Sequence, residues 1–264
     1  MAAKILTITN QKGGVGKTTC SYSLAVYLAE QGKSVLFMDF DAQGNSSGLF
    51  LDNIEDEYIS SFRTKDLFAN ELSSEIEVTE TEWGVDVIRS AKNDLDLFEC
   101  YSLSIEDAIN PNIHLQEAIE VYDYIVIDSP PSLGTTLLAA LSMSTHVVCI
   151  TELSGFAMDG MAGLLDTINL IQEEANPELN FIGILVNKFN SRSESHKTEL
   201  KNMKSELGKL VLKSSINLRS SIDTAMVERV PVWHLPKKTG ASRTAAKEMK
   251  VAFDEIIKIM GRRK

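Results

Sequence analysis

Eight consecutive residues, Lys12-Gly13-Gly14-Val15-Gly16-Lys17-Thr18-Thr19, follow directly on the apolar run Lys4-Ile5-Leu6-Thr7-Ile8-Thr9. A strand delivers the chain into a glycine turn that residues with a Cβ make only with strain. A helix opening at Lys17 would then aim its free amide groups and its positive dipole end at one point. Lys17 is placed to reach the β- and γ-phosphate oxygens and the Thr18 hydroxyl to ligate magnesium. This is the pattern of a phosphate-binding loop, and the expected ligand is a nucleoside triphosphate. Lys12 is a second lysine, whose position carries no duty in an ordinary loop of this kind.

Two further acidic stretches stand at the ends of apolar runs. After Val35–Met38 comes Asp39-Phe40-Asp41-Ala42-Gln43-Gly44-Asn45, and after Tyr124–Ile127 comes Asp128-Ser129-Pro130-Pro131-Ser132. Carboxylates and amides beside a triphosphate can orient water and sense the γ-phosphate, and an acid at the tip of an apolar strand can hold magnesium. Each acid could equally cap a helix or close a turn. His114, His146, His196 and His234 lack the spacing of metal ligands, and Trp83 and Trp233 read as packing residues.

The elements that must position these groups alternate between strand-like and helical patterns. This is the signature of an α/β fold: a doubly wound, mostly parallel sheet with helices on both faces. Strands are expected at Ile5–Thr9, Val35–Met38, Val85–Ile88, Tyr124–Ile127, Val147–Ile150 and Phe181–Val186. Helices are expected at Lys17–Gln31, Leu95–Ile109, Gly160–Glu174, Ser193–Leu207 and Ser242–Met260. The acidic stretch Leu51–Glu82 is expected to run over the surface in loops and a short helix. Such a sheet binds ligands beyond the carboxyl ends of its strands, where both acidic stretches fall.

The 264 residues suit one large α/β domain. Cys20, Cys100 and Cys149 are scattered, which fits a reducing cytoplasm, and neither a signal peptide nor an apolar run of membrane-spanning length is visible. Charge is divided unevenly: Met1–Gly208 carries 13 Lys and Arg against 32 Asp and Glu, whereas Lys209–Lys264 carries 13 against 5. A basic final fifth on an acidic chain suggests a localised surface for a polyanion, with an ordinary solvated helix face as the plainer alternative.

Taken together, Lys12 to Thr18, Asp39 to Asn45 and Tyr122 to Leu133 resemble the deviant Walker ATPases of the ParA partition family, a branch of the ParA/MinD superfamily of P-loop NTPases. Within that family the likeness is to the short chromosomal and plasmid members of the Soj type. It continues through Gly155 to Leu165, Gly183 to Asn187 and the closing helix after Gly240. The resemblance implies a magnesium-dependent ATPase that forms an ATP-bound sandwich homodimer and binds DNA without sequence preference. A ParB-like partner would stimulate hydrolysis and so release it, segregating a plasmid or chromosome on the nucleoid. By position, Lys12 resembles the signature lysine that crosses to the neighbouring subunit's phosphates, and Gly13, Gly14, Val15, Gly16, Lys17, Thr18 and Thr19 the nucleotide loop. Asp41 resembles the residue that positions the attacking water, and Asp128 the Walker B acid, with Thr18, Asp128 and Asp41 around the magnesium ion. Asn187 and Asn217 stand where adenine contacts are made, and Lys213, Arg219, Lys237, Lys238, Arg243, Lys247 and Lys250 where the DNA backbone is met.

Departures from the family pattern are specific. Ala42 stands where a proline is usual, and the loop Ser214-Ser215-Ile216-Asn217 lacks the Pro-Arg pair common before the asparagine. No helix-turn-helix module precedes the first strand, so operator recognition is not expected. Two other readings share the loop chemistry: a positioning ATPase for a cargo other than DNA, and a MinD-like membrane ATPase. The second would need the stripe Ala245, Met249, Ala252, Phe253, Ile256, Ile257 and Met260 as a detachable amphipathic tail, and core packing explains that stripe more simply. Membrane attachment is therefore not expected. A nitrogenase-like iron protein would need a cysteine shortly after Asp128, where Ser129-Pro130-Pro131 stands instead.

Overall fold

Residues 3–52, 56–116, 118–153 and 157–262 are described by a computed structural model. In chain order the elements are β1 (Lys4–Thr9), α1 (Lys17–Glu30), β2 (Val35–Asp39), α2 (Asn45–Leu51), β3 (Thr79–Glu80), β4 (Val85–Ile88), α3 (Leu95–Cys100), α4 (Asn110–His114) and α5 (Ala118–Val121). There follow β5 (Tyr124–Asp128), α6 (Thr135–Met143), β6 (His146–Glu152), α7 (Ala157–Glu174), β7 (Asn180–Phe189), α8 (Glu194–Leu207), β8 (Val211–Asn217), α9 (Ser220–Val227) and α10 (Gly240–Met260).

The strands form one eight-stranded sheet in the order β3-β4-β2-β5-β1-β6-β7-β8. Among the described residues only the β3–β4 pairing is antiparallel. Strands β2, β5 and the last five residues of β1 are buried on both faces, which is why they read as unbroken apolar runs rather than as alternation. One face is covered by α1, α2, α9 and α10 through a core that includes Leu24, Phe37, Phe50, Val126 and Phe253. The other carries α3, α4, α6, α7 and α8 over Ile5, Met38, Ile127, Val147 and Ile184. This is the doubly wound architecture, and β1 lies at its centre between β5 and β6.

Helix α10 shows how the sequence fixes an element. The Thr239 hydroxyl accepts the Ser242 amide at 3.1 Å and the Ser242 hydroxyl accepts the Thr239 amide at 2.8 Å, a reciprocal cap that sets its start. Ala245, Met249, Ala252, Phe253, Ile256 and Met260 recur at helical spacing and are all buried. At about 1.5–3 kcal/mol for each large side chain, that stripe anchors the helix in the core, so it is not a loose tail. No helix among the described residues is long and apolar enough to cross a membrane.

The expected helix Leu95–Ile109 is in fact broken. α3 stops at Cys100, and a 3-10 turn at Glu106–Ile109 leads into α4. The Asp107 carboxylate accepts both the Ser104 amide, at 3.1 Å, and the Ser104 hydroxyl, at 2.7 Å, while the Leu103 carbonyl accepts the Thr135 hydroxyl at 2.6 Å. These local side-chain bonds compete with helix continuation. Ser214–Asn217, read as a loop from sequence, is the second half of edge strand β8.

Candidate functional site

The loop between β1 and α1 is shaped by glycine. Gly16 has φ 95° and caps α1, and a Cβ there would lie 2.2 Å from the Asn187 side-chain nitrogen, so a larger residue would strain the backbone and displace Asn187. Asn187 closes the loop from β7 by donating to the Val15 carbonyl at 2.8 Å. Its side chain thus braces the glycine loop, a role apart from the adenine contact expected of it from the sequence. Lys188, which sequence reasoning missed, donates its ammonium to the Gly14 carbonyl at 2.6 Å. The free amides at the start of α1 open at the carboxyl end of β1, and the arrangement suits an anion.

Lys17 and Thr18 are the first two residues of α1. Lys17 is 7% exposed, and burial pushes its ammonium below the usual lysine range against the opposing pull of Asp128 and Asp41. The Thr18 hydroxyl donates to Asp128 Oδ2 at 2.8 Å. Burial, and then the neighbouring Asp39 charge, push the Asp128 carboxyl up to about 7, while the Thr18 hydrogen bond and Lys17 hold it down. Asp128 Oδ1 is buried without a hydrogen-bond partner. An orphaned carboxylate oxygen next to a threonine hydroxyl is an all-oxygen donor set, which fits a hard divalent cation or its bound water. No group of three or more His, Cys, Asp or Glu is placed to hold a metal among the described residues. The Thr18 hydroxyl and Asp128 Oδ1 would hold such an ion, with Asp41 on the adjoining turn.

Asp39 and Asp128 are register partners on β2 and β5, so two carboxylates lie side by side at the strand ends. Asp39 is spent on structure. It accepts the Ser47 amide at 2.9 Å, the Ser47 hydroxyl at 2.7 Å and the Asp41 amide at 3.1 Å. Burial raises its pKa against the Ser47 bonds. Asp41 begins a four-residue turn closed by the Gly44 amide on its carbonyl at 2.9 Å. Gly44 has φ 66°, and a Cβ there would meet the Ala91 carbonyl oxygen at 2.3 Å. Asp41 also lines an open depression of about 320 Å³ with Leu95, Phe98, Tyr101 and Pro131.

Lys12 folds back on its own chain, its ammonium 2.6 Å from the Glu152 carboxylate at the end of β6. Its amide is held by Asn10 Oδ1 at 2.8 Å, and Asn10 in turn donates to the Ile150 carbonyl. At the end of β8 the Asn217 side chain donates to Glu248 Oε1 at 2.8 Å, and the same carboxylate takes two bonds from Arg219, at 2.8 and 2.6 Å. Arg219 is thus ion-paired within the chain, which sequence alone does not show.

The other basic residues expected to meet DNA do not form one group. Lys238, Arg243, Lys247 and Lys250 surround a shallow depression floored by Val232 and Trp233, and Lys250 stacks over the Trp233 ring at 4.7 Å. Lys237 is exposed just ahead of α10. Lys213 lies apart, in a groove of about 800 Å³ between β8 and α10 with Lys204, Lys209, Lys258 and Arg262. Tyr101, Glu152, Lys188 and Glu248 are the residues that sequence patterns did not single out.

A family profile described as an AAA domain matches residues 3–181. The sporulation initiation inhibitor protein Soj of Bacillus subtilis is 34% identical over 202 residues, spanning 72% of this chain and 74% of that protein. Protein IncC of Escherichia coli is 32% identical over 264 residues, spanning 96% of this chain and 69% of that one. Among solved structures, a plasmid partition protein from Borrelia burgdorferi B31 bound to AMPPNP superposes with a TM-score of 0.77 at 25% identity, covering 97% of this chain and 98% of that one. A parallel sheet with a glycine loop at its central strand defines a P-loop nucleotide-binding protein. This chain belongs to the ParA/Soj family of partition ATPases.

Proposed function

We propose that the chain, acting as one domain over residues 1–264, is a magnesium-dependent ATPase that switches DNA attachment on with ATP and off with hydrolysis. The observation that carries this reading is the cluster at the mouth of the glycine loop: buried Lys17, the Thr18–Asp128 hydrogen bond with its orphaned oxygen, and Asp41 on the adjoining turn. A magnesium ion, when bound by Thr18 and Asp128, would neutralise charge that develops on the phosphates. Lys17 and the amides of residues 13–19 bind and orient the triphosphate, and Asp41 holds the attacking water in line with the γ-phosphate. Asn187 and Asn217, at the ends of β7 and β8, flank the place where the base would lie.

Lys12 is taken to cross to a second copy's phosphates once its bond to Glu152 is released, adding a cation against the transition-state charge. Two copies in this sandwich align their basic carboxyl-terminal surfaces on one side, giving a platform for non-specific DNA. A ParB-like partner triggers hydrolysis, and the cargo is a plasmid or chromosome on the nucleoid. The test is equilibrium ATP binding and turnover by two variants. Lys17→Ala should lose at least about 100-fold in ATP affinity, the scale of a charge-assisted phosphate contact. Asp41→Ala should keep ATP affinity and lose turnover; hydrolysis at the wild-type rate would refute its assigned role.

A further inference from the structure

Ala42 is the second residue of the Asp41–Gly44 turn, and its amide points out of the turn to the Tyr101 hydroxyl oxygen, which accepts it at 2.8 Å. The same hydroxyl lies 3.5 Å from Asp41 Oδ1, the oxygen that also accepts the Gln43 amide at 3.0 Å. One phenol therefore holds the backbone on one side of Asp41 and faces its carboxylate on the other.

Tyr101 is itself firmly seated. It follows α3, and its ring lies 5.3 Å from that of Phe98. Its carbonyl accepts the Thr135 amide at 3.1 Å, and Gly134 passes so close that a Cβ there would sit 2.7 Å from that carbonyl oxygen. The hydroxyl oxygen accepts from the Ala42 amide, which leaves its own hydrogen to donate toward Asp41 Oδ1. A proline at position 42 would present no amide hydrogen and a fixed φ, and it suits the second place of such a turn. Alanine leaves both a donor to satisfy and a looser backbone, and Tyr101 meets both needs.

We propose that Tyr101 is a positioning residue for ATP hydrolysis, its hydroxyl clamping the Ala42 amide and the Asp41 carboxylate so that Asp41 is held ready to orient water. The inference rests on the reading of Asp41 given under Proposed function. It requires no contact between Tyr101 and the nucleotide. Its effect must therefore fall on turnover rather than on ATP affinity.

The full chain is compared with Tyr101→Phe, with the double variant Ala42→Pro/Tyr101→Phe, and with Asp41→Ala, by steady-state ATP turnover with magnesium and by equilibrium ATP binding. Tyr101→Phe keeps the ring packing and should lower kcat about tenfold, the size of one lost alignment contact, with ATP affinity unchanged. Ala42→Pro, which removes the stranded amide and stiffens the turn, should restore most of that loss in the double variant. An unchanged kcat in Tyr101→Phe would overturn the inference, as would a loss of ATP affinity parallel to kcat or a double variant no faster than Tyr101→Phe. These failures leave the function standing as long as Asp41→Ala is inactive. Wild-type turnover by Asp41→Ala would instead overturn the function assigned to Asp41.

Discussion

Lys12 and Glu152 sit 140 positions apart in sequence and 2.6 Å apart in space, and under the proposed function this bond must open before Lys12 can reach a second copy. Both side chains are partly solvated, so this pair contributes about 1 kcal/mol or less. Lys12→Ala is expected to bind ATP through Lys17 with near-normal affinity and to hydrolyse it at least about 100-fold more slowly, as loss of a transition-state cation does. Mixing it with Lys17→Ala should give no rescue, since every mixed pair lacks an essential group; turnover in the mixture, followed by phosphate release, checks this. The residues of the glycine loop were legible in sequence because phosphate binding needs them contiguous. Glu152, Lys188 and Tyr101 were not, because each acts on a segment 59 to 174 positions away and has no local pattern of its own.

Helix α10 and edge strand β8 are joined by carboxylates. Glu255 accepts the Lys213 and Ser214 amides at 3.0 and 2.8 Å, and Glu248 accepts the Asn217 amide at 3.3 Å, so edge amides that could pair with another chain are occupied. Burial pushes both carboxyls up, but the bonds they accept, from Arg219 and Asn217 to Glu248 and from Ser214 and Lys213 to Glu255, bring both below the usual 4.5. A depressed folded pKa gives stability that is present above 4.5 and lost as pH falls through the folded values. Protection factors of the Lys213, Ser214 and Asn217 amides in hydrogen exchange should therefore hold at neutral pH and fall in acid before those of β1. Glu255→Gln should remove most of the acid sensitivity at Lys213 and Ser214, at a cost of about 1–2 kcal/mol. Strands buried on both faces were readable as apolar runs. β8 was not, because an edge strand with one wet face carries Lys213, Ser214 and Ser215 and reads as a turn.

At the scale of the whole molecule, the imbalance between an acidic body and a basic final fifth was visible in composition, but its arrangement was not. Lys238, Arg243, Lys247 and Lys250 converge beside Trp233, whereas Arg219 is held by Glu248 and Lys213 lies in a separate groove. The doubly wound sheet was legible apart from its edge strands β3 and β8, because alternating apolar runs and helical patterns leave few other solutions. Under the proposed function, a subunit with a net charge of −11 attracts DNA only through its local basic surface, and a second copy would double that surface. Arg243→Ala combined with Lys247→Ala should weaken binding to every duplex sequence alike and leave ATP affinity intact. The most direct test of nucleotide-gated DNA attachment is the affinity of the full chain for a random-sequence duplex, measured by interferometry with ATP, with ADP and without nucleotide over a range of salt. Tight binding with ATP alone, weakening steeply with salt as phosphate contacts release counterions, is the predicted result. Equal affinity in all three states, or affinity indifferent to salt, would contradict it.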